Sequence, residues 1–414
     1  MNAFLLKYKF HFFIILIALS VLLILDFILQ LSTQNIRFWD SLSYAESAFG
    51  MYKLHCGNAY RPMIITFITG LPYLFGGNEN DLFVFSFWLN LFSWVGFFII
   101  QFEILKDFLN PKKAFLSVII SILFISNAVS VFHLLTENIF MFVVILGFYF
   151  ILKYNQYQKF LYLSIALSIF ILSVLIKPGM KFFAIICLLC YCRTIFDNYK
   201  SKISYFIYAS LFLIFIQCAG IKYQFGTFTI SFVDSVTYYN YLGYKARCFK
   251  ENKVYDQKPE RLSYLYVIDL DLHKKIVKED LIDQLKNNKI NLLKAYIDDF
   301  RDNITSGSAN IVACKNIKND KNFDFYKKIL FKLTIYENII FTILGIILSF
   351  LLIFKTFKKN DLMFLISLFM IYTISTSAIS CSEGDRFHSI LFLFVIITIG
   401  FATKNMKFNH RIYD

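Results

Sequence analysis

Charge is scarce in this sequence, and what is missing narrows the field before anything present does. Of 414 residues only 17% are Asp, Glu, Lys or Arg, while 58% are hydrophobic and 19% aromatic. A chain so composed cannot hide its apolar surface inside a soluble globule of ordinary composition, so lipid is expected as its second solvent. The apolar runs lack the two-residue alternation of a membrane barrel, which excludes that class. No two of the eight cysteines are spaced as a zinc or redox site, so no structural metal is expected. Internal repeats and low-complexity tracts are missing, charges are missing from the centres of the apolar runs, and no Gly- or Pro-broken helices stand in corresponding halves. These absences weigh against a secondary transporter. No basic, aromatic-lined groove is visible, so the formal net charge of +14 does not signal nucleic-acid binding.

What is present is a series of apolar runs of near-spanning length with short polar breaks, the pattern of a polytopic α-helical membrane protein of about ten spans. They lie at about 10–31, 82–105, 114–132, 138–152, 160–176, 182–196, 203–220, 330–354, 362–379 and 390–401. The first is too long for a signal-peptide core and no small-residue cleavage site follows it, so it reads as a retained span. The runs from Asn138 and Phe182 are short enough for one to be re-entrant or strongly tilted. Basic connectors (KDFLNPKK, KYNQYQK, RTIFDNYKSK, KTFKKND and KNMKFNHR) all fall on one side if both termini are cytoplasmic, as the positive-inside rule requires. The opposite face then collects residues 32–81, the breaks around Glu137, Lys177 and Ser382, and a long polar segment. The chain divides into an N-terminal catalytic membrane module over 1–220 with its first outer loop at 32–81, an extracytoplasmic segment over 221–328, and C-terminal spans over 329–414. RPMIITFITGLPYLFGG reads as an interfacial helix. In the long segment, Ile282, Leu285, Leu292, Leu293, Tyr296 and Phe300 can line one helical stripe. Cys56, Cys248, Cys314 and Cys381 fall on the outer face, where a disulfide can form, although solitary thiols are the plainer expectation.

Chemistry is expected on that face. Asp40, in RFWDSLSYAESA, follows the first span and sits at the interface, as a general base, a positioner of an acceptor, or a helix cap; Tyr44 belongs to the amphipathic pattern after it. Glu137, in HLLTENIFMFVV, is an acid close to the hydrocarbon, a position that is costly unless functional or paired; a helix-start role is the plainer reading. Arg61 in YRPM, Lys177 and Lys181 in IKPGMK, and Arg386 in EGDRFHSI run against the positive-inside trend. An anionic ligand such as a phosphate would account for them, with Arg386 suited to bidentate contact and Lys177 to a point charge; lipid headgroups are the alternative. His388 joins the candidate binding residues, although a packed histidine is commoner there.

In their order and shared side, these residues resemble the GT-C superfamily, the membrane glycosyltransferases that use polyprenyl-phosphate sugars, in the branch of the protein O-mannosyltransferases and the lipid A aminoarabinose transferase. The resemblance implies that Asp40 is the first-loop catalytic acid, that Glu137 is a second acid on the same cavity, and that Arg386 with Lys177 holds donor phosphate. Ser41 stands where many members carry a second acid, and RFHSILFLF lacks the family's usual proline. Members that use a divalent cation, Mg or Mn, bind it with the acids, whereas a lone Asp40 points to metal-independent chemistry. The implied reaction is sugar transfer with inversion to a lipid A, glycan or protein acceptor outside a bacterial inner membrane, with membrane lipids as surroundings and no nucleic acid. An O-antigen polymerase or ligase is the rival reading and a transporter the more distant one.

Overall fold

The computed structural model describes residues 3–33, 39–255, 265, 268–356, 362–380 and 384–410, and among these every regular element is helical. Helix α1 (Ala3–Leu29) leads through the first loop to α2 (Trp39–Lys53) and the short α3 (Met63–Thr69). Next come α4 (Glu79–Leu105), α5 (Pro111–Ile122), α6 (Ile125–Val129), α7 (Glu137–Tyr157) and α8 (Phe160–Ser173). The chain continues through α9 (Lys181–Cys190), α10 (Cys192–Asp197) and α11 (Tyr205–Phe225). The polar segment holds α12 (Val233–Thr237), α13 (Gly243–Lys250), α14 (Leu270–Asn287), α15 (Lys289–Thr305) and α16 (Ala309–Val312). Finally α17 (Phe323–Thr356), α18 (Leu362–Ser377) and α19 (Ser389–His410) return to apolar sequence.

Among the described residues, five helices are long and apolar enough to cross a membrane: Tyr8–Leu29 within α1, α4, α7, Lys202–Phe225 containing α11, and α17. The pair α5 and α6 makes a sixth if a 66° bend is allowed, and α8, the Pro178–Cys190 stretch containing α9, α18 and the Ser389–Lys404 part of α19 are shorter apolar helices. The bend interrupts the expected straight run at 114–132. The Asn138 run, by contrast, is full length, because Glu137 opens it and the polar residues up to Tyr157 extend it.

Local sequence explains the ends. Asn78 caps α4 through the amides of Asn80 and Asp81, and Asp81 returns a bond to the Asn78 amide, a complete capping box. Asn110 caps α5, with Pro111 at the first helical position, where its missing N–H costs nothing. Gly226 ends α11 in the left-handed region.

The buried centre is α19, with Leu391, Phe392, Leu393, Phe394 and Val395 fully enclosed by α4, α5, α17 and α18. Phe148 of α7 lies 5.2 Å from Phe170, 5.7 Å from Phe369 and 5.4 Å from Phe394, so one aromatic cluster joins α7, α8, α18 and α19. Helix α17 is inverted relative to a helix in water. Thr334, Asn338, Thr342, Gly345 and Ser349 face inward, while Ile340, Ile343, Ile347, Phe350 and Leu351 face out, the arrangement helices adopt in lipid.

Three of the basic connectors meet at one end, where Gln156 bonds Asp107 and Lys404 bonds the Asp107 carbonyl; residues 357–361 and 411–414 lie outside the described residues. The opposite end collects the first loop, the Glu137 and Lys177 breaks, the polar segment and Arg386, as the sequence predicts. RPMIITFITGLPYLFGG forms α3 and a 3-10 turn at Leu71–Phe75, with Phe75 exposed.

Helix α11 runs on to Phe225 and α17 begins at Phe323, each a few residues beyond the expected span. The stripe from Ile282 to Phe300 is broken at Asn288 between α14 and α15, leaving Ile282, Leu285 and Leu293 exposed. The inner face of α15 carries Ala295, Asp299 and Asn303 instead. Cys248 and Cys314 are both buried and unbonded, Cys56 is exposed, and Cys381 lies outside the described residues.

Candidate functional site

Asp40 sits in the first turn of α2 and Glu137 opens α7, and three further stretches of chain bring Arg61, Lys177 and Arg386 to these two carboxylates. Arg61 donates from Nη2 to Asp40 Oδ1 at 2.7 Å, from Nε to Ser43 Oγ at 2.6 Å, and from Nη1 to the Tyr44 hydroxyl at 3.2 Å. Its guanidinium also lies 4.1 Å from the Tyr44 ring centroid, so three residues of one helix turn fix its plane. Arg386 donates from Nη1 to Asp40 Oδ2 at 2.7 Å and from Nε to Glu137 Oε1 at 2.7 Å, bridging the acids. Lys177 places its Nζ 3.6 Å from Glu137 Oε1 and 4.9 Å from the Phe387 ring centroid.

Solvent reaches this group unevenly. The Glu137 side chain is 4% exposed and Arg386 10%, whereas Asp40 is 32% exposed, so the cluster opens at Asp40. Burial alone would raise the Asp40 carboxyl, but Arg386 and Arg61 outweigh it and hold the group well below the usual carboxylate range. Asp40 is therefore ionised at neutral pH and a weak base while both cations are on it. Both acids also stand in the first turn of their helices, Glu137 at the head of α7 and Asp40 in α2, although both Asp40 oxygens go to guanidiniums and the Thr136 cap of α7 makes no side-chain capping bond. Among the described residues, three cations, Arg61, Lys177 and Arg386, face these two carboxylates.

A glycine positions Arg386. Gly384 has φ +60°, and a Cβ there would collide with the carbonyl oxygen of Gly307, so backbone conformation and close approach both demand glycine. The neighbouring Asp385 turns away from the cluster and accepts from the Ser126 hydroxyl of α6; burial pushes its carboxyl up to about 7.

Two expected residues are not in the site. His388 is fully buried, bonded to Ser377 Oγ at 2.8 Å and Asn338 Oδ1 at 3.1 Å, and burial lowers it to about 4, so it is a neutral knot between α17 and α18 rather than a phosphate ligand. Lys181 pairs at 2.7 Å with Asp234 of α12, which Lys274 of α14 also contacts. Ser43, Thr136, Phe140 and Phe387 were not singled out from sequence. Only Ser43 had a signal, since it lies three residues after Asp40 on the same helical face.

A cavity of about 380 Å³ adjoins the cluster, with Arg61 as the shared residue. It lies between the connection from α2 to α3 and the last turns of α11, around Met51, Asn58, Gln217, Gly220 and Gln224. Among the described residues no group of three or more His, Cys, Asp or Glu side chains could hold a metal ion. No known family model, no curated protein and no solved structure matches this chain.

Proposed function

We propose that this chain is a membrane glycosyltransferase of the GT-C type. It moves a sugar from a polyprenyl-phosphate donor to an extracytoplasmic acceptor, at the outer face of a bacterial cytoplasmic membrane. The observation that carries the reading is Asp40 held between Arg61 and Arg386, with Arg386 shared by Glu137. Paired acids bind the cations at rest, and an anionic ligand can take their place on the same guanidinium and ammonium groups.

The donor's phosphate competes for Arg386 and Lys177. Once Arg386 turns to phosphate, Asp40 loses one of its two cations and its carboxyl moves back towards the ordinary range, becoming a better proton acceptor as the donor binds. The acceptor O–H or N–H then attacks the anomeric carbon from the face opposite the lipid phosphate. The new bond forms as the C1–O bond breaks, the electron pair leaves on the phosphate held by Arg386 and Lys177, and the proton passes to Asp40. Configuration inverts. A divalent ion such as Mg or Mn fits this donor set poorly, because both Asp40 oxygens already face guanidiniums.

Ten spans follow if the five long helices, the bent α5–α6 pair and the four shorter apolar helices each cross. Helix α8, with 14 residues, is only about 21 Å long against roughly 30 Å of hydrocarbon, so that arrangement requires local thinning or snorkelling flanks.

The test is release of sugar from a panel of radiolabelled polyprenyl-phosphate sugars by the purified protein in lipid, alongside Asp40→Asn. Turnover of one donor, lost in the variant while donor binding survives, is expected. Inertness toward every monosaccharide donor, with capture of a pyrophosphate-linked oligosaccharide instead, would overturn the reading in favour of a polymerase or ligase.

A further inference from the structure

The cavity beside Arg61 is held open by design of its walls. Gln217 of α11 accepts from the Met63 amide at 3.0 Å and donates to the Ile230 carbonyl at 2.9 Å, and Gln224 accepts from the Gly57 amide at 2.8 Å. These two side chains, seven residues apart on one face, act as struts between α11 and the loop before α3. Midway between them lies Gly220, inside a helix, where glycine is unfavourable by about 1 kcal/mol relative to alanine. No packing contact accounts for it: a Cβ at Gly220 would meet no atom within 4 Å. What the glycine does is widen the cavity it lines.

The lining has a definite chemical character. Met51, Met63, Ile216 and Ile221 supply its apolar walls, Arg61 and His55 are its basic side chains, and no carboxylate is among the described residues that line it. Lys53 and Lys222 are exposed in the last turns of α2 and α11, outside the cavity lining. A guanidinium has five N–H donors; Arg61 commits three to Asp40, Ser43 and Tyr44, which leaves two for a ligand. Ile216 is also exposed on the outside of α11 with Phe212 and Phe215, on the surface this helix offers to lipid, so the cavity reaches the bilayer. Its volume lies in the range of small-ligand sites, roughly 300–1,000 Å³, enough for a headgroup and the first part of a chain.

We propose that this cavity is the acceptor subsite and that it takes the phosphate-bearing headgroup of an anionic amphiphile entering from the membrane. The assignment as acceptor rests on the transferase reading above. Arg61 holds Asp40 Oδ1 while Arg386 holds Oδ2, so a headgroup on Arg61 and a donor phosphate on Arg386 lie on opposite sides of the carboxylate that takes the proton. The acceptor is then a lipid and not a soluble glycan or a protein chain.

Photolabelling tests this without turnover. The protein is placed in phosphatidylcholine nanodiscs doped with a diazirine-bearing phosphatidylglycerol or, separately, a diazirine-bearing phosphatidylcholine, and labelled peptides are mapped. The anionic probe is expected to label residues 51–63 and 216–224 about tenfold more than the zwitterionic one, with most labelling lost in Gly220→Leu. Should Gly220→Leu fail to fold, Gly220→Ala reads the same loss at smaller amplitude, since its single methyl meets no atom. Equal labelling by both probes, or labelling insensitive to both substitutions, overturns the proposal. Displacement of the anionic probe by millimolar inorganic phosphate also overturns it, by making the site one for free anions. A protein inert toward every sugar donor yet labelled as expected sinks the transferase reading and keeps the lipid site. Donor turnover that requires Asp40, with an unlabelled cavity, sinks the lipid site alone.

Discussion

Two clusters in this molecule bury a cation among carboxylates, and they are built in opposite ways. In the first, two acids meet three cations drawn from five separate stretches of chain, and Asp40 is open to solvent. In the second, Lys245 of α13 is nearly buried against Asp298 and Asp299 at 2.6 Å each and Asp302 at 3.5 Å, all on α15. There one cation meets three acids that lie within five residues, and the deepest, Asp299, is fully enclosed. The second cluster is a clip: its partners come from two helices, and its exposed acids spend their charge in water. The first joins distant parts of the chain near an opening, an arrangement that costs folding energy and suits the ligand-binding role proposed for it.

Removing the cations should separate the two roles. Arg386→Ala should lower donor turnover on the order of 100- to 1,000-fold, with Arg386→Lys recovering only part because the bidentate geometry is lost; kinetics on the donor found in the panel measures this. Lys245→Met should cost about 3–5 kcal/mol of stability by stranding Asp299, and Asp299→Asn on that background should return much of it, as read by unfolding in denaturant. If Lys245→Met instead abolished turnover in protein that is still folded, the comparison would fail.

A smaller loss is expected from Gly384→Ala. Left-handed strain and the collision with Gly307 should destabilise by about 1–3 kcal/mol, and turnover should fall because Arg386 follows two residues later. Wild-type stability with unchanged turnover would show that the backbone there is free to relax.

The smallest effect is one of pH, and its sign differs between the clusters. Asp40 is lowered in the fold, so its contribution is present above about 3.8, its ordinary value, and is lost as pH falls below that. Asp299 is raised by burial to about 6, against the pull of Lys245, so its carboxyl favours the fold most below 3.8 and that advantage is lost as pH rises to 6. Thermal unfolding between pH 3 and 7 should therefore show Asp299→Asn gaining on the wild type as pH rises, and Asp40→Asn losing.

Much of the first cluster was legible because each member breaks a local rule. An acid at the hydrocarbon edge and arginines on the side short of basic residues are anomalies that a single sequence displays. Helical membrane character was legible for the same reason, in the scarcity of charge. What could not be read were relations between distant residues. His388 looks like a site residue two positions after Arg386, but its partners are 11 and 50 residues away and enclose it. The bend between α5 and α6 carries neither proline nor glycine at 123–124, so no local signal marks it. The inner face of α15 was misjudged because its deepest members, Asp299 and Asn303, are polar: Asn303 bonds the carbonyls of Ser377 and Ser380, and hydrophobic periodicity does not find such a face.

The bridge from Arg386 to Glu137 spans 249 residues of sequence, and this sets an order of assembly during synthesis. Glu137 and Lys177 emerge from the ribosome close together and can neutralise each other within one helical hairpin. Arg386 arrives more than 200 residues later, on the turn between α18 and α19. Until that hairpin docks, Asp40 has Arg61 alone and Glu137 has Lys177 alone, two separate ion pairs in a partly inserted chain. Insertion of α18 and α19 is thus the event that fuses two local pairs into one cluster, so a chain stalled before it carries every acid of the site and none of its bridge.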